Sequence, residues 1–173
     1  MSGASFVPVI VTATSCVAVE PLPSSTVTVV HDALPEATQK RLEGLVAEHS
    51  YWYSRKLGGG PEPTPEERDS RPPARHPVIY VCPRTGRKSL YIASHVSAIV
   101  GWPEDETRAL IDELMAFATR PQFVYSHVWR PGDVVVWDNL TTLHRATPFD
   151  DQRYRRDMRR ATCRETPVHS VPA

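Results

Sequence analysis

The amino-acid sequence predicts a mainly β domain with flanking helices. Three observations lead there. Runs rich in Val, Thr and Ile, separated by Gly and Pro turns, dominate both ends of the chain. Two stretches of helical period interrupt them. No internal repeat is present, so an antiparallel sheet or sandwich with helices packed outside suits the pattern. At 173 residues, one core is expected, and 1–173 reads as a single domain.

The elements follow in order. Residues 6–19 are apolar, but no Lys or Arg precedes them and Pro8 interrupts them, so a core strand is expected rather than a signal peptide. Their length cannot span a bilayer. Ser25–Val30 alternates as a half-buried strand does, and two or three short strands are expected in the first thirty residues. Leu42, Leu45 and Val46 then define one face of a helix that begins near Pro35 and ends near His49. Residues 56–76 concentrate Gly, Pro and charge and read as a loop; within it Thr64 and Glu67 have capping-box spacing, enough for one helical turn. Val78–Cys82 and Ser89–Ala93, joined through Thr85-Gly86, form a hairpin. Glu104, Asp105 and Glu106 open a longer helix whose buried stripe is Leu110, Ile111, Leu114, Met115 and Ala118. Strands are expected at 123–129, 134–138 and 153–163.

Formal net charge is zero and the pI is near 7.1, which gives no global field for nucleic acid or an anionic membrane. Cys16, Cys82 and Cys163 are odd in number and lack C-x-x-C spacing, which fits reduced intracellular thiols and a cytoplasmic protein.

The last strand carries the chemistry. With a period of two, Tyr154, Arg156, Met158, Arg160 and Thr162 share one face, and Arg153, Arg155, Asp157, Arg159 and Ala161 the other. The second face mixes opposite charges and reads as solvated. The first sets two guanidinium groups among aromatic, thioether and hydroxyl groups, as the wall of a polar pocket does. Such a pair could clamp carboxylates of a small diacid by bidentate hydrogen bonds; pairing with internal Asp or Glu is an equally open reading. An RNA-binding strip fits less well, because the total charge is neutral and exposed aromatics are not interleaved. His144 alone cannot hold a catalytic metal.

Trp137-Asp138-Asn139, His144 and Arg156-Asp-Met158-Arg-Arg160-Ala-Thr162 together resemble the C-terminal signature of the TauD/TfdA dioxygenases, which use iron(II) and 2-oxoglutarate. The resemblance runs over about residues 32–163, through Asp32–Glu36, Arg75-His-Pro77, Thr85–Tyr91, Ala118–Pro121 and Trp129–Asp133. Ser89–His95 and Pro148–Asp151 are closer to the 2,4-dichlorophenoxyacetate-like branch. It implies a double-stranded β-helix, or jelly roll, holding Fe(II) by two histidines and a carboxylate, with open positions for 2-oxoglutarate and oxygen. It implies that His144 is the distal metal ligand. Arg156 would grip the far carboxylate of 2-oxoglutarate, and Arg160 its other carboxylate or the substrate's acid group. A register shifted by one would make the pair Arg155 and Arg159. The implied substrate is a small organic acid; no nucleic acid or membrane partner is expected.

The sequence departs from the family pattern at two places. None of the seven histidines (31, 49, 76, 95, 127, 144, 169) is followed two residues later by an acid, so the His-x-Asp or His-x-Glu motif is absent. His31-Asp32 is adjacent, and consecutive strand side chains face opposite ways. The Gly-Gly-Asp-Thr turn of the family is also missing near 22–28, and 1–31 reads as divergent or truncated. The expectation is a jelly roll incomplete at its N-terminal side, belonging to a dioxygenase that hydroxylates a small organic acid. The alternative is a noncatalytic truncated fragment or anion-binding pseudoenzyme. Exposed sheet edges would then favour homo-oligomers.

Overall fold

The computed structural model describes residues 9–13, 23–28, 31–83, 85–150, 152–153 and 158–163, with side chains described from residue 31 onward except at 146, 162 and 163. In chain order the elements are β1 (Val9–Ala13), β2 (Pro23–Thr28), a 3-10 turn (His31–Ala33), α1 (Glu36–Leu42), β3 (Val46–His49), α2 (Tyr51–Leu57), α3 (Pro65–Ser70), β4 (Ala74–Pro77), β5 (Ile79–Val81), β6 (Lys88–Leu90), β7 (Val96–Ile99), α4 (Glu104–Ala118), a 3-10 turn (Pro121–Phe123), β8 (Val124–Val128), β9 (Val134–Asp138), β10 (Thr142–Ala146) and β11 (Arg159–Cys163). The protein is therefore mostly β with helices, as the sequence pattern predicts. Backbone contacts gather into two compact units, Met1–Thr28 with Val124–Ala173, and Val29–Phe123, where the sequence reading treats 1–173 as one domain.

The unit 29–123 is built on α4 and the antiparallel sheet β4-β3-β7. Leu110, Ile111, Leu114 and Ala118 recur at helical spacing along α4 and are buried with Val96 and Ile99 of β7. Each fully buried aliphatic side chain stabilises the fold by about 1.5–3 kcal/mol relative to exposure. Thr107 is buried too, and its Oγ1 accepts the Ile99 backbone N–H at 3.2 Å, tying helix to sheet. The expected hairpin forms as β5 and β6, paired from Ile79↔Leu90 to Val81↔Lys88, with Gly86 at φ 68° in the turn.

Residues 42–49 depart from the sequence expectation of one helix ending near His49. Helix α1 stops at Leu42, and Val46–His49 is the central strand β3, paired with both β4 and β7. Gly44 takes φ 76°, a left-handed conformation that ends a helix and that side chains disfavour. Of the face expected from Leu42, Leu45 and Val46, only Leu42 is fully buried; Leu45 and Val46 are half-buried, and the fully buried residue of β3 is Ala47. The segment 56–76, expected as a loop, contains the end of α2, the helix α3 and the start of β4. Thr64 and Glu67 do make the capping box: Thr64 Oγ1 accepts the Glu67 N–H at 3.2 Å, and Glu67 Oε2 accepts the Thr64 N–H at 2.9 Å.

The other unit contains two three-stranded antiparallel sheets, β11-β1-β9 and β10-β2-β8. The first thirty residues supply the central strand of each. Of the stretch 6–19 expected as a strand, 9–13 is β1 and the remainder lies outside the described residues; the half-burial expected at 25–30 concerns side chains that also lie outside them. The arginine-rich strand expected over 153–163 is β11 at 159–163, and Tyr154, Arg155, Arg156 and Asp157 lie outside the described residues.

Candidate functional site

The chain leaves one sheet at β9 and enters the other at β10 through a corner that Asp138 organises. Its Oδ1 accepts the Leu140 N–H at 2.9 Å, its Oδ2 accepts the Thr141 hydroxyl at 3.2 Å, and its carbonyl accepts the Thr142 hydroxyl at 2.6 Å. Beside it, Trp137 Nε1 donates to Asn139 Oδ1 at 2.9 Å. The Trp-Asp-Asn sequence thus fixes how β10 departs from β9. Across that corner Trp137 of one sheet and His144 of the other pack their rings with centroids 4.7 Å apart.

Strand register says which arginine reaches this junction. Residues paired across an antiparallel sheet share a face, and faces alternate along each strand. Thr162 and Trp137 both pair with Ile10, while Arg160 and Val135 both pair with Thr12. Arg160 therefore lies on the face that carries Trp137. Arg159 shares its partner Ala13 with Val134 and belongs to the opposite face, where Val134 and Val136 are exposed. Arg160 is itself exposed, so it borders the junction rather than being walled in. His144 is an exposed residue with one part of its ring shielded. That desolvation, followed by the positive charge of Arg160, holds its imidazole below the ordinary histidine pKa. The ring is thus neutral at pH 7, with a lone pair on one nitrogen.

The same sheet face bears two side chains that the sequence reading did not single out. His144 and Tyr125 both pair with Thr26, so they stand on one face two strand spacings, about 10 Å, apart. His127, two residues along, shares that face; its Nδ1 lies 3.3 Å from the Tyr125 hydroxyl and its Nε2 3.1 Å from Asp133 Oδ2. Asp133 also accepts the Arg130 N–H at 2.8 Å, and these bonds hold its carboxyl below the usual carboxylate range. The Tyr-x-His spacing on a strand was the available signal, since period two places both on one side.

His31 and Asp32, the adjacent pair, lie in the unit 29–123, where His31 is buried and its Nδ1 is 3.0 Å from Asp32 Oδ1. They are joined to each other in a 3-10 turn. An Fe(II) facial triad needs three converging protein groups. Among the described residues no three His, Cys, Asp or Glu side chains converge in a way that could hold a metal ion. His144 offers one suitable donor, so the described residues do not fit a complete metal centre. They do fit an anion, with Arg160 exposed beside a neutral imidazole. No helix among them is long and apolar enough to cross a membrane.

Comparison with known proteins identifies the family. The family model of the taurine catabolism dioxygenase TauD, TfdA family, matches residues 24–162. The alpha-ketoglutarate-dependent 2,4-dichlorophenoxyacetate dioxygenase of Burkholderia sp. (strain RASC) is 44% identical over 142 residues, which cover 79% of this chain and 48% of that protein. The (S)-phenoxypropionate/alpha-ketoglutarate-dioxygenase of Sphingobium herbicidovorans is 42% identical over 127 residues, 69% of this chain and 44% of its own length. The chain thus spans about half the length of these relatives. Among solved structures, AAD-2 in complex with Mn(II) and N-oxalylglycine superposes with a TM-score of 0.86 at 36% identity, over 93% of this chain and 64% of that one. The chain belongs to the TauD/TfdA family of alpha-ketoglutarate-dependent dioxygenases.

Proposed function

We propose that this chain carries the histidine and arginine side of an Fe(II)/2-oxoglutarate dioxygenase site of jelly-roll type, whose reaction is hydroxylation of a small organic acid. The relatives named for phenoxy acids favour an aryloxy carboxylate as substrate. The observation that carries the reading is the meeting of His144 with Arg160 at the Trp137 corner, within the family match. In this assignment His144 Nε2 or Nδ1 supplies one neutral donor to iron. Arg160 and Arg156 bind and orient carboxylates of 2-oxoglutarate or substrate, and Arg155 with Arg159 is the shifted alternative. Iron, once held, would supply the oxidising power for substrate hydroxylation; the chain's own residues position anions around it.

A second reading, an anion-binding protein without turnover, is favoured by a specific observation: no histidine in the sequence is followed two residues later by an acid. Succinate formation with Fe(II), 2-oxoglutarate and a phenoxyacetate, alongside calorimetric titration with N-oxalylglycine, separates the two. Very weak turnover is expected, with N-oxalylglycine binding that depends on Arg160. Robust turnover abolished by His144→Ala would refute the noncatalytic reading. Failure to bind N-oxalylglycine at all would sink both.

A further inference from the structure

The unit 29–123 holds a second group of histidines, brought together from far apart in the chain. His49 ends β3, His76 lies on β4 and His95 precedes β7. His49 Nδ1 is 3.3 Å from His95 Nε2, and the His49 ring centroid is 5.6 Å from that of His76 and 5.1 Å from that of Tyr91. Tyr91 also packs on His76 at 4.9 Å. The backbone joins the same groups, since the Ser50 N–H donates to the His95 carbonyl at 3.3 Å.

Two neutral imidazoles can share that 3.3 Å contact only when one ring nitrogen donates and the other accepts. His49 Nε2 is buried and has no hydrogen-bond partner. As a lone pair this nitrogen is an unpaired neutral acceptor; as an N–H of a cation it would be a buried charged donor with nothing to accept it, which is far costlier. We propose that the contacts of His49 with His95, His76 and Tyr91 form a proton-sensitive latch that clasps β3, β4 and the segment before β7 while His49 is uncharged and loosens them when it takes a proton.

The surrounding charges do not oppose this. Glu48 and Arg75 pair at 2.7 Å, but the β3–β4 register, Ala47↔His76, Glu48↔Arg75 and His49↔Ala74, puts that pair on the face opposite His49 and His76. Strand β7 (Val96–Ile99) contributes no titratable side chain. On α2, Tyr53 accepts from Arg108 at 3.3 Å and Tyr51 lies under Arg71 at 4.6 Å. Tyr91, whose burial pushes its hydroxyl up, stays neutral throughout. Desolvation first, then repulsion from His95 and His76, pushes His49 down to about 4, and burial lowers His95 as well. No three ligating groups converge among the described residues, which is why a proton rather than a metal ion is the effector.

The test is an imidazole NMR titration of the whole chain, with hydrogen exchange of the 46–49 and 96–99 amides at pH 7.5 and pH 5.0. The latch predicts that His49 titrates below pH 5 or only together with unfolding, and that protection factors of β3 fall more than tenfold on acidification. His49→Phe, which keeps the ring contacts, should flatten that dependence. If this variant does not fold, the wild-type titration decides alone. A free titration of His49 near pH 6.5, or protection independent of pH, would overturn the proposal. So would stoichiometric Zn(II) binding that locks the three rings, since the group would then be a cation site.

Discussion

Among the described residues, the two units differ in how far their apolar side chains are buried. In 29–123, side chains do the work: Leu42, Val78, Leu90, Val96, Ile99, Leu110, Ile111 and Leu114 are all essentially inaccessible. In the other unit, among the described residues, only Trp129 and Leu140 are buried apolar side chains, while Tyr125, Val128, Val134 and Val136 are exposed. Its described order lies in backbone ladders and in polar corners such as that of Asp138. The candidate site residues His144 and Arg160 lie on this second unit. The packed unit and the unit that carries the candidate site should respond differently to perturbation.

The largest expected effect strikes the packed unit. Leu114→Ala deletes a fully buried side chain and should cost about 2–5 kcal/mol, measured as a lowered denaturant midpoint. If stability barely moves, the contrast between the units fails. On the other unit the expected change is in binding instead. Arg160→Ala should weaken N-oxalylglycine binding by about 1.5–3 kcal/mol, the range for a charged hydrogen bond. Arg159→Ala, on the opposite face, should alter it by less than about 0.5 kcal/mol in calorimetry. Equal losses at the two positions would contradict the register described for β11.

Acidification sharpens the comparison further. The folded-state pKa of His49 is depressed, to about 4 from 6.5, so between these values the unfolded chain binds the extra proton. Its contribution is fully present above pH 6.5 and is lost as pH falls from there through 4. Because the ring retains some solvent access, the loss is on the order of 2 kcal/mol rather than the full linkage value, and pH-dependent denaturation measures it. The smallest effect is local. Thr64→Ala removes a cap worth about 1 kcal/mol, but α3 buries no residue, so faster exchange at 65–70 with an unchanged global melting temperature is expected.

How much could be read in advance follows the same division. Helix α4 was legible because its apolar stripe and acidic first turn both report on local geometry. The hairpin at 79–90 was legible because β-branched arms flank a Gly turn. Strand β3 was not: Leu42, Leu45 and Val46 match helical spacing by coincidence, and what makes 46–49 a strand is pairing with β4 and β7, far away in the chain. At the candidate site, the resemblance named His144, and alternation grouped Arg160 apart from Arg159. Neither could supply the contact of His144 with Trp137, which depends on a turn between sheets. The histidines of the other unit carry no local signal, since His49 and His95 are 46 residues apart.

The corner between β9 and β10 has one consequence for metal chemistry. Asp138 and Asp150 are the acidic residues nearest to His144 along the chain, and Asp138 is the one at the corner that leads into its strand. Both of its side-chain oxygens are already occupied in holding the bend. Recruiting Asp138 to a cation would unfasten the strand that presents the imidazole, so that carboxylate is effectively withdrawn from service.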